Sequence, residues 1–392
     1  MSEFLKIVNN GASRTLVVFS SARVRAGKFS GTRAFTDLSS NYVYVNCPNN
    51  NWYLNPIPGL GDHPADVAER LEQELRALGS TEVITYGGSM GGYGAILYGA
   101  MVKADHCIAT GVEVALGTEG AFFNKLCEET IPDDRKQLFM AAVKAAETTQ
   151  FHCFYGELCA YDLWGSLQLP RQDNVHIHTI RNEDHSLPPL LNHFFGMEQF
   201  VLSCCSPGSA APWQAMTGTI TRYPDAIRAL YRHDVLGERG DDIEAAFDAC
   251  LLHMDGLSAS ILHLKRAILK RQRKDLEGAY SDIIVAVENN PDFYLALVHA
   301  ANMALSIGKK EEALDFARKA QGFIIDRIRP FYQARYTLIR CLIHAGQLEE
   351  AGAELNAMKE KFAVASKKNT HWSRINELEN VLTQRAARLS LQ

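Results

Sequence analysis

Residues 83–95 constrain this chain more than any other segment. They read VITYGGSMGGYGA: an apolar, β-rich run, a glycine-rich corner, then the small-residue start of a helix. A serine at such a corner exposes its hydroxyl only if the backbone turns sharply, and the turn crowds the residues two places before and after it. Gly87 and Gly91 hold those two places around Ser89, and Gly88 and Gly92 relieve the crowding further. The helix that follows aims its unpaired amides and the positive end of its dipole back at the corner. Ser89 is therefore a candidate nucleophile, and the amide of Met90 a candidate donor to a developing oxyanion. A phosphate-binding turn fits less well. The segment has no GK[ST], and the G-x-G-x-x-G spacing is not met in frame from Gly87.

Around this corner, short apolar runs alternate with amphipathic ones. Residues 14–20 (RTLVVFS) and 41–46 (NYVYVN) are β-rich and bounded by turn residues. Residues 65–77 place Val67, Leu71 and Leu75 on one helical face before Gly79. Strands are predicted at 82–86, 106–114, 150–155 and 174–180, with a helix over 91–102. Such alternation implies an α/β fold with a mostly parallel sheet covered on both faces. Residues 117–150 have room for one or two short helices that would cover a site at the strand ends.

The composition changes after residues 206–208. From about Tyr223 onward alanine, leucine and charged residues dominate, and a period emerges. Ala245, Ala279 and Ala313 are spaced by 34 residues, each predicted to begin the second helix of a hairpin. Gly240, Lys274 and Gly308 lie five residues before them, where the inter-helix turn belongs. Gly346 and Ala351 repeat the pair after 38, the extra residues falling near 324–330. The boundaries expected are 1–208 for the α/β domain and 220–392 for an all-α repeat domain, with residues 372–389 as its capping helix.

Strand, G-x-S-x-G and helix together resemble the α/β-hydrolase superfamily over the first half. GGSMGGYG is similar to short-lidded bacterial esterases and carbohydrate O-acyltransferases. LEGAYSDIIVAVENNP and KKEEALDFARKAQ resemble tetratricopeptide repeats. The first resemblance implies a triad in the chain order serine, acid, histidine. His185, in the loop RNEDHSL after the last strand, would be the general base. The acid chosen is Asp162, with Glu157 the alternative, both in GELCAYDLW; relatives often carry an aspartate three residues after such a glycine, where this chain has Cys159. The second oxyanion amide would come from Ser20, Ser21 or Ala22 after the first strand, with Ser21 the choice. The chemistry implied is attack by Ser89 on an acyl carbonyl and release of the acyl group to water or an alcohol, with no metal or organic cofactor.

Other features have a bland and a functional reading. Arg23, Arg25 and Lys28 are solvated, or attract an anionic substrate. The Asn-rich aromatic run 48–55 is a packed turn, or a surface for sugar faces. His176 and His178 share one strand face, yet no third metal ligand lies nearby in sequence. Lys265, Arg266, Lys270, Arg271, Arg273 and Lys274 form a basic run, a solvated face or a seat for an acidic tail.

A net charge of −5, with 47% hydrophobic and 22% charged residues, gives no electrostatic reason to expect nucleic acid or membrane as partner. No apolar run spans a bilayer. Nine scattered cysteines and an N-terminus without signal-peptide order suggest reduced thiols in a cytoplasm, with Cys204–Cys205 better read as buried thiols than as a vicinal disulfide. Three functions compete: a serine esterase or thioesterase, an O-acyltransferase using a carbohydrate, and a non-catalytic adaptor whose repeats hold a protein or peptide.

Overall fold

Apolar strand residues that alternate with amphipathic helices bury both faces of a sheet, and the chain does this over its first 180 residues. The computed structural model describes residues 2–206, 211–325, 332–364 and 371–389. Seven strands, β1 (Leu5–Val8), β2 (Arg14–Phe19), β3 (Ser40–Val45), β4 (Glu82–Gly88), β5 (His106–Thr110), β6 (Gln150–Gly156) and β7 (Val175–Ile180), form one sheet. Their order is β1-β3-β2-β4-β5-β6-β7, with only β1 antiparallel to its neighbour. From β2 the chain steps to β3 on one side and then returns to β4 on the other. The strand order reverses there, so a crevice opens at the carboxyl ends of β2 and β4. Phe19 at the end of β2 pairs with Gly87 near the end of β4, which puts the Ser89 corner in that crevice.

Helix α1 (Pro64–Ala77) buries Val67, Leu71 and Leu75, the stripe predicted from spacing, and His63 with Asp66 forms a capping box at its start. Helix α2 (Met90–Met101) is buried on almost every side, which its glycine and alanine content permits. Between 117 and 150 lie the two helices expected there: α3 (Phe123–Leu126), whose Lys125 and Leu126 line the Ser89 pocket, and α4 (Asp133–Ala145), which packs on α2 through Phe139 stacked on Tyr93. Then follow α5 (Ala160–Ser166), α6 (Pro188–Phe195), α7 (Met197–Cys204) and α8 (Pro224–Asp234). β5 is shorter than predicted: Gly111 takes a φ of 59° and turns the chain off the sheet before Val112.

The chain divides into Met1–Glu238 and Arg239–Gln392. Helix α8, which the expected boundary at 220 puts with the repeats, lies in the first unit. Its Tyr231 stacks on Trp164 of α5 at 4.4 Å and donates to Glu119 O at 3.0 Å. Its amphipathic pattern could not show which unit would cover its apolar face.

The second unit is helical throughout its described residues: α9 (Asp241–Leu251), α10 (Gly256–Gln272), α11 (Leu276–Asn289), α12 (Tyr294–Ser306), α13 (Lys310–Gln321), α14 (Tyr332–Ala345), α15 (Leu348–Val364) and α16 (His371–Leu389). The four predicted turn positions, Gly240, Lys274, Gly308 and Gly346, all have positive φ, at 113°, 66°, 82° and 80°. Ala279, Ala313 and Ala351 are fully buried where the second helices begin, so the paired helices approach closely. Ala245 departs from the pattern and is exposed; at that terminal helix Ile243 and Phe247 make the buried contacts. The inserted residues expected near 324–330 fall mostly outside the described residues. Much of the basic run is neutralised internally. Arg266 pairs with Asp248 and Asp282, Lys270 with Asp282 at 2.9 Å, and Arg273 with Asp241 at 2.9 Å and Glu244 at 2.7 Å.

Tyr231→Ala should destabilise the sheet unit by about 3 kcal/mol, the low end for truncating a buried aromatic. Denaturant unfolding followed by tryptophan fluorescence reads this, because Trp52, Trp164 and Trp213 all lie in the sheet unit.

Candidate active site

Ser89 occupies a backbone conformation that L-residues rarely adopt, with φ 54° and ψ −123°. Its amide donates to Thr110 O of β5 at 2.8 Å. The flanking glycines are required by contact. A Cβ on Gly87 would lie 2.0 Å from Gly91 O, and one on Gly91 would lie 2.3 Å from Phe19 O. β4, α2 and the end of β2 thus meet at van der Waals distance. The Ser89 hydroxyl is carried on the rigid core and projects into the crevice.

The structure brings three sequence-predicted residues together. His185 Nε2 lies 3.0 Å from Ser89 Oγ, and His185 Nδ1 lies 2.7 Å from Asp162 Oδ2. The His185 loop crosses the strand ends at two glycines. A Cβ on Gly156 would meet Asp184 O at 2.3 Å, and one on Gly111 would meet His185 O at 2.8 Å. Asp162 is fully buried in the first turn of α5, whose start follows Cys159. One helical turn carries a side chain back to the same face. An acid three residues beyond Cys159 therefore reaches the place that Cys159 holds at the helix start.

Glu157 is not brought to His185. Its Oε1 accepts from Thr179 Oγ1 at 3.0 Å, in a buried pocket where Gly218 leaves room for the carboxylate. Met90 supplies the first amide of α2 directly after Ser89. Ser21 lies beside the corner, its hydroxyl donating to Gly88 O at 3.0 Å and its amide to Ser30 Oγ at 3.2 Å.

Burial disfavours the charged form of His185, but hydrogen bonding and charge from Asp162, with Glu113 and Asp184 behind it, outweigh this and raise its pKa. Sequence reasoning missed Glu113. It is 1% exposed three residues past β5, and its carboxylate accepts from the amide of Phe123 at 3.0 and 3.2 Å. Burial pushes it up to about 7. The only signal was its place at a strand's carboxyl end. Phe122, next to the amide that Glu113 holds, packs on the His185 ring at 4.5 Å.

A pocket of about 520 Å³ opens onto these groups, its wall including Ala22, Arg23, Ser89, Phe122, Lys125 and His185. Arg25 and Lys28 are exposed and absent from that wall. Trp52 and Tyr53 are fully buried and offer no face to a ligand. Instead the Tyr53 hydroxyl donates to Ser20 O at 2.7 Å and braces the loop after β2. Donor atoms of Cys159, Asp162 and His185 lie within 4.8 Å of one another, a spacing a metal ion could use. Burial drives the Cys159 thiol well above its ordinary pKa, and Asp162 and His185 already hydrogen-bond each other, so the set fits a proton relay better than a metal centre.

No family model matches the chain, and no curated protein does. Among solved structures it is similar to the Glycosylation Associate Protein (Gap123) complex from Streptococcus agalactiae. That match has 14% identity and a TM-score of 0.40, and covers 52% of this chain and 45% of that one. It is similar to MenH from S. aureus at 12% identity and TM-score 0.30, over 47% of this chain and 91% of that chain. The assembly chaperone of RpL4 (Acl4, residues 1–338) aligns at 15% identity and TM-score 0.30, over 83% and 92%. These likenesses are too distant to carry a function.

Asp162→Asn removes the strongest influences that raise His185 and leaves burial to act, so the imidazole pKa should fall. Glu157→Gln should leave it in place. Proton NMR titration of His185 in the two variants reads the difference.

Proposed function

We propose that the first unit is a serine hydrolase of the α/β-hydrolase type that cleaves an acyl ester or thioester through an acyl-enzyme. The observation that carries this reading is the hydrogen-bonded row from Asp162 through His185 to a serine held at positive φ above a helix N-terminus. Ser89 Oγ attacks the carbonyl carbon while His185 Nε2 takes its proton. Asp162, accepting from Nδ1–H, fixes the tautomer and stabilises the imidazolium. Charge develops on the carbonyl oxygen, and the amide of Met90 with one from the loop after β2 receives it. For Ser21 that role means exchanging its bond to Ser30 Oγ; Ala22, next in the chain and in the pocket wall, has no hydrogen bond of its amide to another described residue. His185 then returns the proton to the leaving group, and a second nucleophile releases the acyl group.

Two observations favour water as that nucleophile over a carbohydrate hydroxyl. The His185 side chain is 20% exposed, so solvent reaches the base. The aromatics that would stack on a sugar, Trp52 and Tyr53, are committed to the core. Arg23 and Lys125 on the pocket wall suit a substrate with an anionic group. For the helical unit we infer a peptide or protein partner, from its tetratricopeptide-like period and hairpins. The thiols of all nine cysteines are free, as in a reducing cytoplasm.

A fluorophosphonate probe should label the wild-type protein and not Ser89→Ala; equal labelling of both removes Ser89 from the nucleophile role. Asp162→Asn should lower kcat by up to about 10⁴, and Glu157→Gln should change it little. His185 acts as base only when neutral and its pKa is raised, so kcat/KM should climb with pH through an inflection above the ordinary histidine value of about 6.5.

A further inference from the structure

Four histidines gather on one face of the sheet, away from Ser89. His106 begins β5, His152 is the third residue of β6, and His176 and His178 are the second and fourth of β7. The register pairs His106 with Gln150 and His152 with His176, so the two-residue alternation turns all four side chains to the same side. They line one cavity of about 440 Å³, together with Trp213 and the thiols of Cys204 and Cys205. This cavity shares no wall residue with the Ser89 pocket.

A sheet face beneath a helix is ordinarily filled with β-branched side chains. Imidazoles there are costly unless their nitrogens are bonded. Yet His106 Nδ1, His152 Nδ1 and His178 Nε2 are buried with no hydrogen-bond partner among the described residues. His176 differs, because its Nε2 meets Gln150 Oε1 at 3.0 Å. With Nε2–H donating there, the Nδ1 lone pair is left free, and Gln150 stands as an outer-shell partner that fixes the tautomer. The cavity thus collects imidazole nitrogens that no other described residue satisfies.

We propose that His152, His176 and His178 bind a divalent transition-metal ion of the zinc class, with water or His106 in the fourth position. Sequence alone offered two ligands on β7; the sheet supplies the third from the neighbouring strand. The spacing must close for this, because among the described residues no three of these histidines bring their nitrogens within 4.8 Å of one another. With a metal–nitrogen distance of about 2.1 Å and a ring centre about 1.2 Å beyond, three imidazoles on a tetrahedral ion have centres about 5.3 Å apart. The observed centres are 4.9, 5.8 and 6.5 Å apart. The rings are stacked, inclined by 7–26°, so the side chains must reorient about both Cα–Cβ and Cβ–Cγ for the ion to seat. Nitrogen ligation suits zinc, nickel, cobalt and copper ions rather than magnesium or calcium. The proposal is independent of the serine chemistry.

Calorimetric titration of the full chain with Zn²⁺, and electronic spectroscopy with Co²⁺, test it. One ion per chain is expected, with cobalt bands of a four-coordinate nitrogen and oxygen site and no thiolate charge-transfer band. His152→Phe and His178→Gln should each weaken binding by more than the roughly 10–100-fold that an outer-shell loss costs. Ser89→Ala and His185→Ala should leave it unchanged. Failure of the wild type to bind Zn²⁺ overturns the proposal, whatever the folding of the variants. So does binding that survives both histidine substitutions, or that disappears with His185→Ala, which would move the ion to Cys159, Asp162 and His185.

Discussion

The site depends on one close approach of backbone to backbone. Where β2 and β4 end side by side, Gly91 at the start of α2 sits against Phe19 O with no room for a methyl group. That contact fixes how α2 leaves the sheet, and with it the positive φ of Ser89, the direction of the helix dipole and the position of the first free amide. Strain of this kind costs on the order of 1–3 kcal/mol and persists only where surrounding packing over-determines it. Here the packing is α2, buried on nearly all sides, and the Ser89 amide bonded to Thr110 O on the neighbouring strand. The same principle positions His185, whose loop runs over Gly111 and Gly156 where side chains would block it.

How much of this was legible in the sequence follows from the distance over which each feature is determined. The Ser89 corner is a local steric requirement, and its glycines are adjacent in the chain. The inter-helix turns at 240, 274, 308 and 346 are local too, and their period revealed Lys274, a non-glycine residue at φ 66°. His185 was found because a parallel sheet puts the loop after its last strand at the crevice. Features set by long-range packing stayed hidden. β1 is a four-residue edge strand with exposed residues and no alternation to detect. Glu113 gains its character from burial against a segment ten residues away. The unit to which α8 belongs is decided by Trp164. The histidines of β5, β6 and β7 are far apart in sequence and become neighbours only through the register.

The acid shows the two scales meeting. Resemblance placed it at 159, but the residue there is cysteine, and distance along the chain did not separate Asp162 from Glu157. Structure separates them by direction. Glu157 leaves β6 toward Thr179 on the far side of β7's end, whereas α5 turns Asp162 inward beneath His185. A buried carboxylate beside a neutral imidazole becomes a matched ion pair only when that imidazole is protonated. That is the state in which the proposed reaction requires stabilisation.

The ordering of charge along the pocket then sets how a substrate can lie in it. Inside, Asp162, Glu113 and Asp184 all favour positive charge on His185, and none of them welcomes an anion. At the wall stand Arg23 and Lys125. In the proposed reaction an anionic substituent would lie toward those cations and the uncharged carbonyl toward Ser89. Main-chain amides would then receive the oxyanion without adding a competing acid to the site. Phe122 rests on the imidazole face, and the amide beside it is held by Glu113. The segment covering the base is thus anchored by a buried carboxylate whose pKa burial pushes up to about 7.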